Sequence, residues 1–130
     1  MSDIFGIGTD IVDISRIKKL FHKNKKLKKR LFSKEEIKNC ESLTNKIACY
    51  SKRFAAKEAF VKSIGTGFRN ELNFKNISIV NDKHGKPSFI INEKIKKIIK
   101  KQFKTSSFNF FLSISDEKKY SIAYVILQKK

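Results

Sequence analysis

Apolar positions change period several times along this 130-residue chain. From Ile4 to Val12 they alternate, which predicts a strand. Phe5, Ile7, Thr9 and Ile11 face one way, and Gly6, Gly8 and Asp10 face the other. The two glycines leave an open floor beside one carboxylate, and glycines inside a strand mark a close approach by other backbone. Ile14, Ile17 and Phe21 then keep helical spacing, with Asp13 or Ser15 as the cap. The run from Lys23 to Arg30 is dense in charge, with Leu27 and Leu31 as anchors, and is expected as a solvated, partly mobile surface or a binding surface. Ser33-Lys34-Glu35-Glu36 matches a capping box and starts a helix running to about Leu43. Asn45 caps a longer helix with Ile47, Tyr50 and Phe54 inward.

That longer helix delivers the stretch Arg53-Phe54-Ala55-Ala56-Lys57-Glu58-Ala59-Phe60-Val61-Lys62-Ser63-Ile64-Gly65-Thr66-Gly67. The alanines favour helix and allow close packing. Phe54 and Val61 share one stripe, and Phe60 and Ile64 another. Glu58 and Lys62 lie side by side, four residues apart. Arg53 and Lys57 form a second pair. Gly65 sits where a helix stops, and Gly67 allows backbone conformations other residues avoid. A nearly apolar helix keeps four charges for a reason. Two reasons stand open: a surface ion pair of Glu58 with Lys62, or a site.

After Gly67 the pattern turns to strands. Ile77 to Val80 is one, Asn81 to Lys86 a turn, and Pro87 to Ile91 the return strand. Asn92 caps a short helix with Ile95, Ile98 and Ile99 inward. Phe108 to Ile114 alternates as a strand, and Tyr120 to Leu127 returns antiparallel. The layout is α+β, helices packed on an antiparallel sheet, as a single domain over residues 1–130.

Composition narrows the class. Apolar content of 40% suffices for one core. No apolar run approaches the roughly 20 residues of a membrane span, and no signal peptide is visible, so a cytoplasmic protein is expected. Cys40 and Cys49 lack a zinc spacing and are expected as reduced helix-packing residues. His22 and His84 are expected as solvated side chains. Lys and Arg number 30 against 12 Asp and Glu, a formal charge of +18. Such a field recruits polyanions. A basic nucleic-acid- or ribosome-binding domain is one alternative, but it leaves Asp10 and Glu58 without a role.

Two stretches together are more specific. Phe5-Gly6-Ile7-Gly8-Thr9-Asp10-Ile11-Val12-Asp13-Ile14, followed by Arg53-Phe54-Ala55-Ala56-Lys57-Glu58-Ala59, resembles the holo-acyl-carrier-protein synthases, which are small 4′-phosphopantetheinyl transferases. The resemblance covers essentially the whole chain, including Leu31 to Glu36, Gly85-Lys86-Pro87 and Ser113 to Ala123. It implies the phosphopantetheinyl transferase fold and a homotrimer with active sites between subunits. It also implies transfer of 4′-phosphopantetheine from coenzyme A to a serine of apo acyl carrier protein in fatty acid biosynthesis, releasing adenosine 3′,5′-bisphosphate.

The same resemblance assigns residues. Asp10 and Glu58 match the family's magnesium ligands and, with Lys62, its catalytic positions. Arg53, Lys57, Lys62, Gly65, Gly67, Gly85, Lys86 and Pro87 are expected to bind coenzyme A. Arginine suits bidentate phosphate contacts, and the G-x-G loop offers backbone N–H groups to an anion. Asp116 stands where many members have histidine. Arg16, Lys19, Leu20 and Lys23 on the first helix are expected to dock the acidic carrier protein.

Overall fold

The computed structural model describes residues 3–65 and 72–130. Strand β1 (Ile4–Asp13) leads into helix α1 (Ile14–Lys23), a short α2 (Leu27–Leu31), α3 (Lys34–Glu41) and the long α4 (Lys46–Ile64). A 3-10 turn (Phe74–Asn76), β2 (Ile79–Asn81), β3 (Pro87–Phe89), α5 (Glu93–Phe103), β4 (Phe108–Asp116) and β5 (Tyr120–Lys129) follow. The main sheet has the order β1-β5-β4, antiparallel throughout, and β2 pairs with β3 separately.

The caps read from the sequence form. Asp13 accepts from Ser15 and Arg16, Ser33 and Glu36 make both halves of a capping box, and Asn45 and Asn92 cap α4 and α5. Ile17 and Phe21 of α1 are buried, as are Ile95 and Ile99 of α5. The expected strand from Ile77 and its return to Ile91 shorten to three paired residues each.

Helix α4 is the core element. Thirteen of its 19 residues are buried, and the exceptions include Lys52, Glu58 and Lys62. It lies across β1 at backbone contact. A Cβ on Gly6 would sit 1.8 Å from the Ser63 carbonyl oxygen, and one on Gly8 1.8 Å from that of Ala59. The glycines of β1 are therefore a steric condition for this crossing. Ile7 and Ile11, of opposite parity, point away and stay exposed. Phe5 departs from their face. A bulge between Ile4 and Gly6 inserts it as an extra residue, and it stacks on Phe103 of α5 at 4.6 Å.

The charged run stays largely exposed and contains α2, with Leu27 and Leu31 half-buried as its anchors. Two expectations need correction. Cys40 and Cys49 are not reduced packing residues. Their sulfurs are bonded across α3 and α4, with Cα atoms 5.5 Å apart, because the turn between the helices brings the two positions face to face. Lys57, expected on coenzyme A, has no exposed surface. Its ammonium contacts Glu36 at 2.6 Å and the carbonyls of Leu31 and Phe74 at 2.9 and 2.8 Å. All three of its protons are used. Burial moves its pKa down to about 8, with Glu36 opposing that shift.

Glu36 also accepts from Ile79 N, so the Lys57–Glu36 pair ties α3, α4, the 3-10 turn and β2 together. Breaking it should be costly. Lys57→Met leaves Glu36 buried and uncompensated, and urea unfolding should show a loss of about 3–5 kcal/mol. Adding Glu36→Gln should recover part of that loss. A single variant within about 1 kcal/mol of wild type would mean the pair is stabilised far less than its burial implies.

Candidate active site

Three of the side chains singled out in the sequence meet where β1 crosses α4. Asp10 shares the parity of Gly6 and Gly8, so it faces the helix. Lys62, on the last turn of α4, donates to Asp10 Oδ1 at 3.1 Å and to the Thr9 carbonyl at 3.0 Å. Glu58 lies one turn earlier, half-buried, with no hydrogen bond or salt bridge to a described residue. Burial raises its pKa first, the neighbouring Asp10 charge raises it further, and Lys62 opposes both. The surface ion pair of Glu58 with Lys62, open from the sequence, does not form. Lys62 pairs with Asp10 instead.

Two carboxylates held close, one of them unpartnered, make a donor set suited to a hard cation. Among the described residues no group of three or more His, Cys, Asp and Glu gathers. Magnesium does not need one, because it is commonly held by one or two carboxylates with waters and substrate phosphate oxygens. The charge of Asp10, which raises the Glu58 pKa after burial does, is what such a cation would offset. Lys62 is about half exposed, so its ammonium can also reach an anion in solvent.

A second feature lies towards the other end of α4. Arg53, Lys52 and Cys49 form one wall of a cleft of about 330 Å³, faced by Gly85, Pro87 and Asp116. Gly85 has a φ of 85°, which the tight turn from Asp82 to Lys86 requires. Lys86 is exposed on that turn. Arg53 is only 5% exposed. Its guanidinium already donates to Ile79 O, Asn39 Oδ1 and Asn81 Oδ1 at 2.7–2.9 Å. The expectation of a free bidentate fork is corrected: three of its five donors are spent, and Arg53 shapes the cleft wall. Asn39 and Asn81, which hold it, escaped sequence reasoning, since isolated asparagines carry no pattern. So did the second task of Glu36, because its capping box already accounted for it.

Arg53 and Glu58 are five residues apart on one helix, so they lie roughly 7.5 Å apart along its axis and look to different sides. The cleft lining includes none of Asp10, Glu58 and Lys62. Gly65 caps α4 with a φ of 86°, exposed beyond Lys62. Gly67 lies outside the described residues. On α1, Arg16, Lys19, Leu20 and Lys23 are all exposed, beside the buried Ile17 and Phe21.

Comparison with known proteins agrees in one direction. The 4′-phosphopantetheinyl transferase superfamily model matches residues 6–125. A holo-acyl-carrier-protein synthase of Pelagibacter ubique is 67% identical over 127 residues, covering 98% of each chain. One from Ehrlichia chaffeensis is 44% identical over 128 residues, 95% of this chain and 96% of the relative. The crystal structure of the Neisseria meningitidis holo-acyl-carrier-protein synthase superposes with a TM-score of 0.87 at 38% identity, over 97% of this chain and 99% of that one. The Bacillus anthracis synthase, solved in complex with CoA (3′,5′-ADP), superposes at 0.80 with 32% identity over 98% of both chains.

Proposed function

The chain belongs to the 4′-phosphopantetheinyl transferase superfamily, and from that premise we propose how its residues divide the work. The reaction is transfer of 4′-phosphopantetheine from coenzyme A to a serine hydroxyl of apo acyl carrier protein. A P–O bond to the serine oxygen forms, and the hydroxyl proton is released to solvent. The pyrophosphate P–O bond breaks, and adenosine 3′,5′-bisphosphate leaves with the electron pair. Charge on the phosphoryl oxygens is the main obstacle, so cations placed in advance supply most of the help.

The convergence of Asp10, Glu58 and Lys62 carries this reading. Asp10 and Glu58 would hold magnesium, which when bound supplies charge neutralisation at the pyrophosphate. Lys62 donates to a phosphate oxygen once its hold on Asp10 is shared. Gly85 and Pro87 with Arg53 frame the cleft for the nucleotide half of coenzyme A, where Lys52, 3.9 Å from Asp116, is the lining lysine and Lys86 stands exposed on the adjoining turn. Gly65 and Gly67 stay as candidates for the pyrophosphate side.

The cleft and the carboxylates lie on different sides of α4, so one subunit would complete the site of another. The sheet supports such an assembly. Ile7, Ile11, Phe111, Tyr124 and Ile126 are 38–65% exposed on one face. The register puts Ile126 opposite both Ile7 and Phe111, so the patch is continuous. Contiguous apolar surface of this kind marks association. Sedimentation should find a trimer, with Phe111→Asp shifting it to monomer and removing activity. A fully active monomeric variant would sink this part.

Helix α1 suits the acidic carrier. Its basic face is free because Ile17 and Phe21 commit the other face to the core. It starts just after β1, so a carrier docked there brings its serine near Asp10. Reversing charge at Arg16, Lys19 and Lys23 together should raise the carrier KM by about 10-fold or more at low salt and flatten its salt dependence. Coenzyme A kinetics should stay as they were. An unaltered carrier KM would move docking to the Lys25–Arg30 segment. No described helix is long and apolar enough to cross a membrane, which fits work in the cytoplasm beside both substrates.

A further inference from the structure

The Cys40–Cys49 bridge has no role in transfer, yet it sits in the wall of the coenzyme cleft. The cleft reaches Cys49, 5% exposed, while Cys40 is fully buried behind it. Cys49 lies in the first turn of a 19-residue helix, beside Lys52 and Arg53. A helix N-terminus and nearby cations both favour a thiolate. Asn39, the residue before Cys40, accepts from Arg53 at 2.7 Å, and Leu43 beyond it lines the same cleft. The bridge therefore fixes the end of α3 that orients the cleft arginine.

The fold does not depend on it alone. Glu41 Oε2 accepts from Tyr50 at 2.6 Å and from Lys28 at 3.1 Å, and Lys46 approaches its other oxygen at 3.3 Å. These contacts hold α3 against α4 independently of the sulfurs. Opening the bridge would loosen the cleft side and leave the core packed.

We propose that Cys40–Cys49 is a reversible thiol–disulfide exchange site, reached by low-molecular-weight thiols through the cleft, and that its state sets coenzyme A affinity. An incoming thiolate attacks Cys49 Sγ, forms a mixed disulfide there, and releases Cys40 as a thiolate that takes a proton. A second thiolate attacks the sulfur of the bound thiol. It leaves as the small-molecule disulfide and frees Cys49, which is protonated. Two electrons pass from two small thiols to the bridge. In reverse, the Cys49 thiolate attacks a small disulfide, and Cys40 then closes the bridge on Cys49. The bridged form binds more tightly, because Asn39 and Arg53 are already placed and no ordering remains to be done.

The inference rests on reading this cleft as the coenzyme site, and the test separates the two. The full chain is equilibrated in reduced and oxidised glutathione, alkylated and weighed intact. With only two cysteines, each molecule takes up no alkyl group when bridged, two when reduced, and one beside a bound glutathione as the mixed disulfide. Calorimetry gives coenzyme A affinity for the bridged form, the reduced form and the Cys40→Ser/Cys49→Ser variant. We expect reversible exchange without unfolding and affinity at least about 5-fold weaker when reduced. The double variant should match the reduced form in any buffer. By linkage, saturating coenzyme A must favour the bridge by the same factor, a tenfold effect being about 30 mV. Equal affinity in both forms overturns the proposal while leaving the cleft assignment standing. So does a bridge that opens only on unfolding, or a double variant that binds like the bridged form. Binding to neither form overturns the cleft assignment and this proposal with it.

Discussion

Asp10→Asn and Glu58→Gln should each lower transfer by about 10³-fold or more, with the fold intact. In the proposed site both residues face the point where charge would build on the transferring phosphoryl group, and a Lewis acid there is worth several kcal/mol. The folded state gives the prediction a second readout. Glu58 has its pKa raised by burial and by Asp10, so the pair repels in the absence of a cation. Asp10→Asn removes that repulsion at the cost of the Lys62 ion pair, which is solvent-screened on the lysine side and worth little. Thermal melting without magnesium should therefore be unchanged or slightly higher in Asp10→Asn. Magnesium should raise the wild-type Tm, because a ligand that binds only the native state stabilises it, and should leave both variants where they are. A variant that keeps near wild-type turnover at limiting magnesium removes that residue from the metal pair.

Gly8→Ala should be the most damaging glycine-to-alanine change among the described residues. Its Cβ would meet Ala59 O at 1.8 Å, Ala59 C at 2.7 Å and Ser63 N at 2.8 Å, all backbone atoms of α4. No side chain can rotate away, so β1 and α4 must separate along their whole crossing. Ordinary overpacking costs roughly 1–3 kcal/mol because neighbours yield. Here the neighbours are the helix backbone, and a loss of about 4 kcal/mol or more is expected in urea unfolding. Activity should fall further than stability explains. Asp10 is two residues along the same strand face, whereas Glu58 and Lys62 ride on the helix. A displacement near 1 Å between reacting groups costs on the order of 10²-fold. Under conditions where the variant is still folded, Thr9→Ala, on the opposite face, is the control. Normal turnover by folded Gly8→Ala would mean the glycine face does not set the site.

Much of this was legible beforehand because the signals were local. Asp13, Ser33, Asn45 and Asn92 each cap the helix that follows, through bonds two or three residues long. Strand alternation put Asp10 on the glycine face without any knowledge of the partner helix. What failed was set by distant contacts. Lys57 and Lys62 look alike in sequence, yet one is sealed against Glu36, 21 residues earlier, and the other reaches Asp10, 52 residues earlier. Arg53 is held by Asn39 and Asn81, one from each side of it in the chain. The cysteine bridge depends on how the turn after α3 folds back, which spacing alone does not fix.

This chain moves phosphopantetheine to a carrier serine, and we place that step at the Asp10–Glu58–Lys62 centre. The direct measurement is the intact mass of an apo acyl carrier protein after incubation with the protein, coenzyme A and magnesium. The carrier should gain one phosphopantetheine group, with one adenosine 3′,5′-bisphosphate released per carrier modified. Neither should appear with a chelator, with Asp10→Asn, or when the carrier serine is replaced. An unchanged carrier mass with the wild-type protein, on a carrier that a known transferase modifies, would contradict the account.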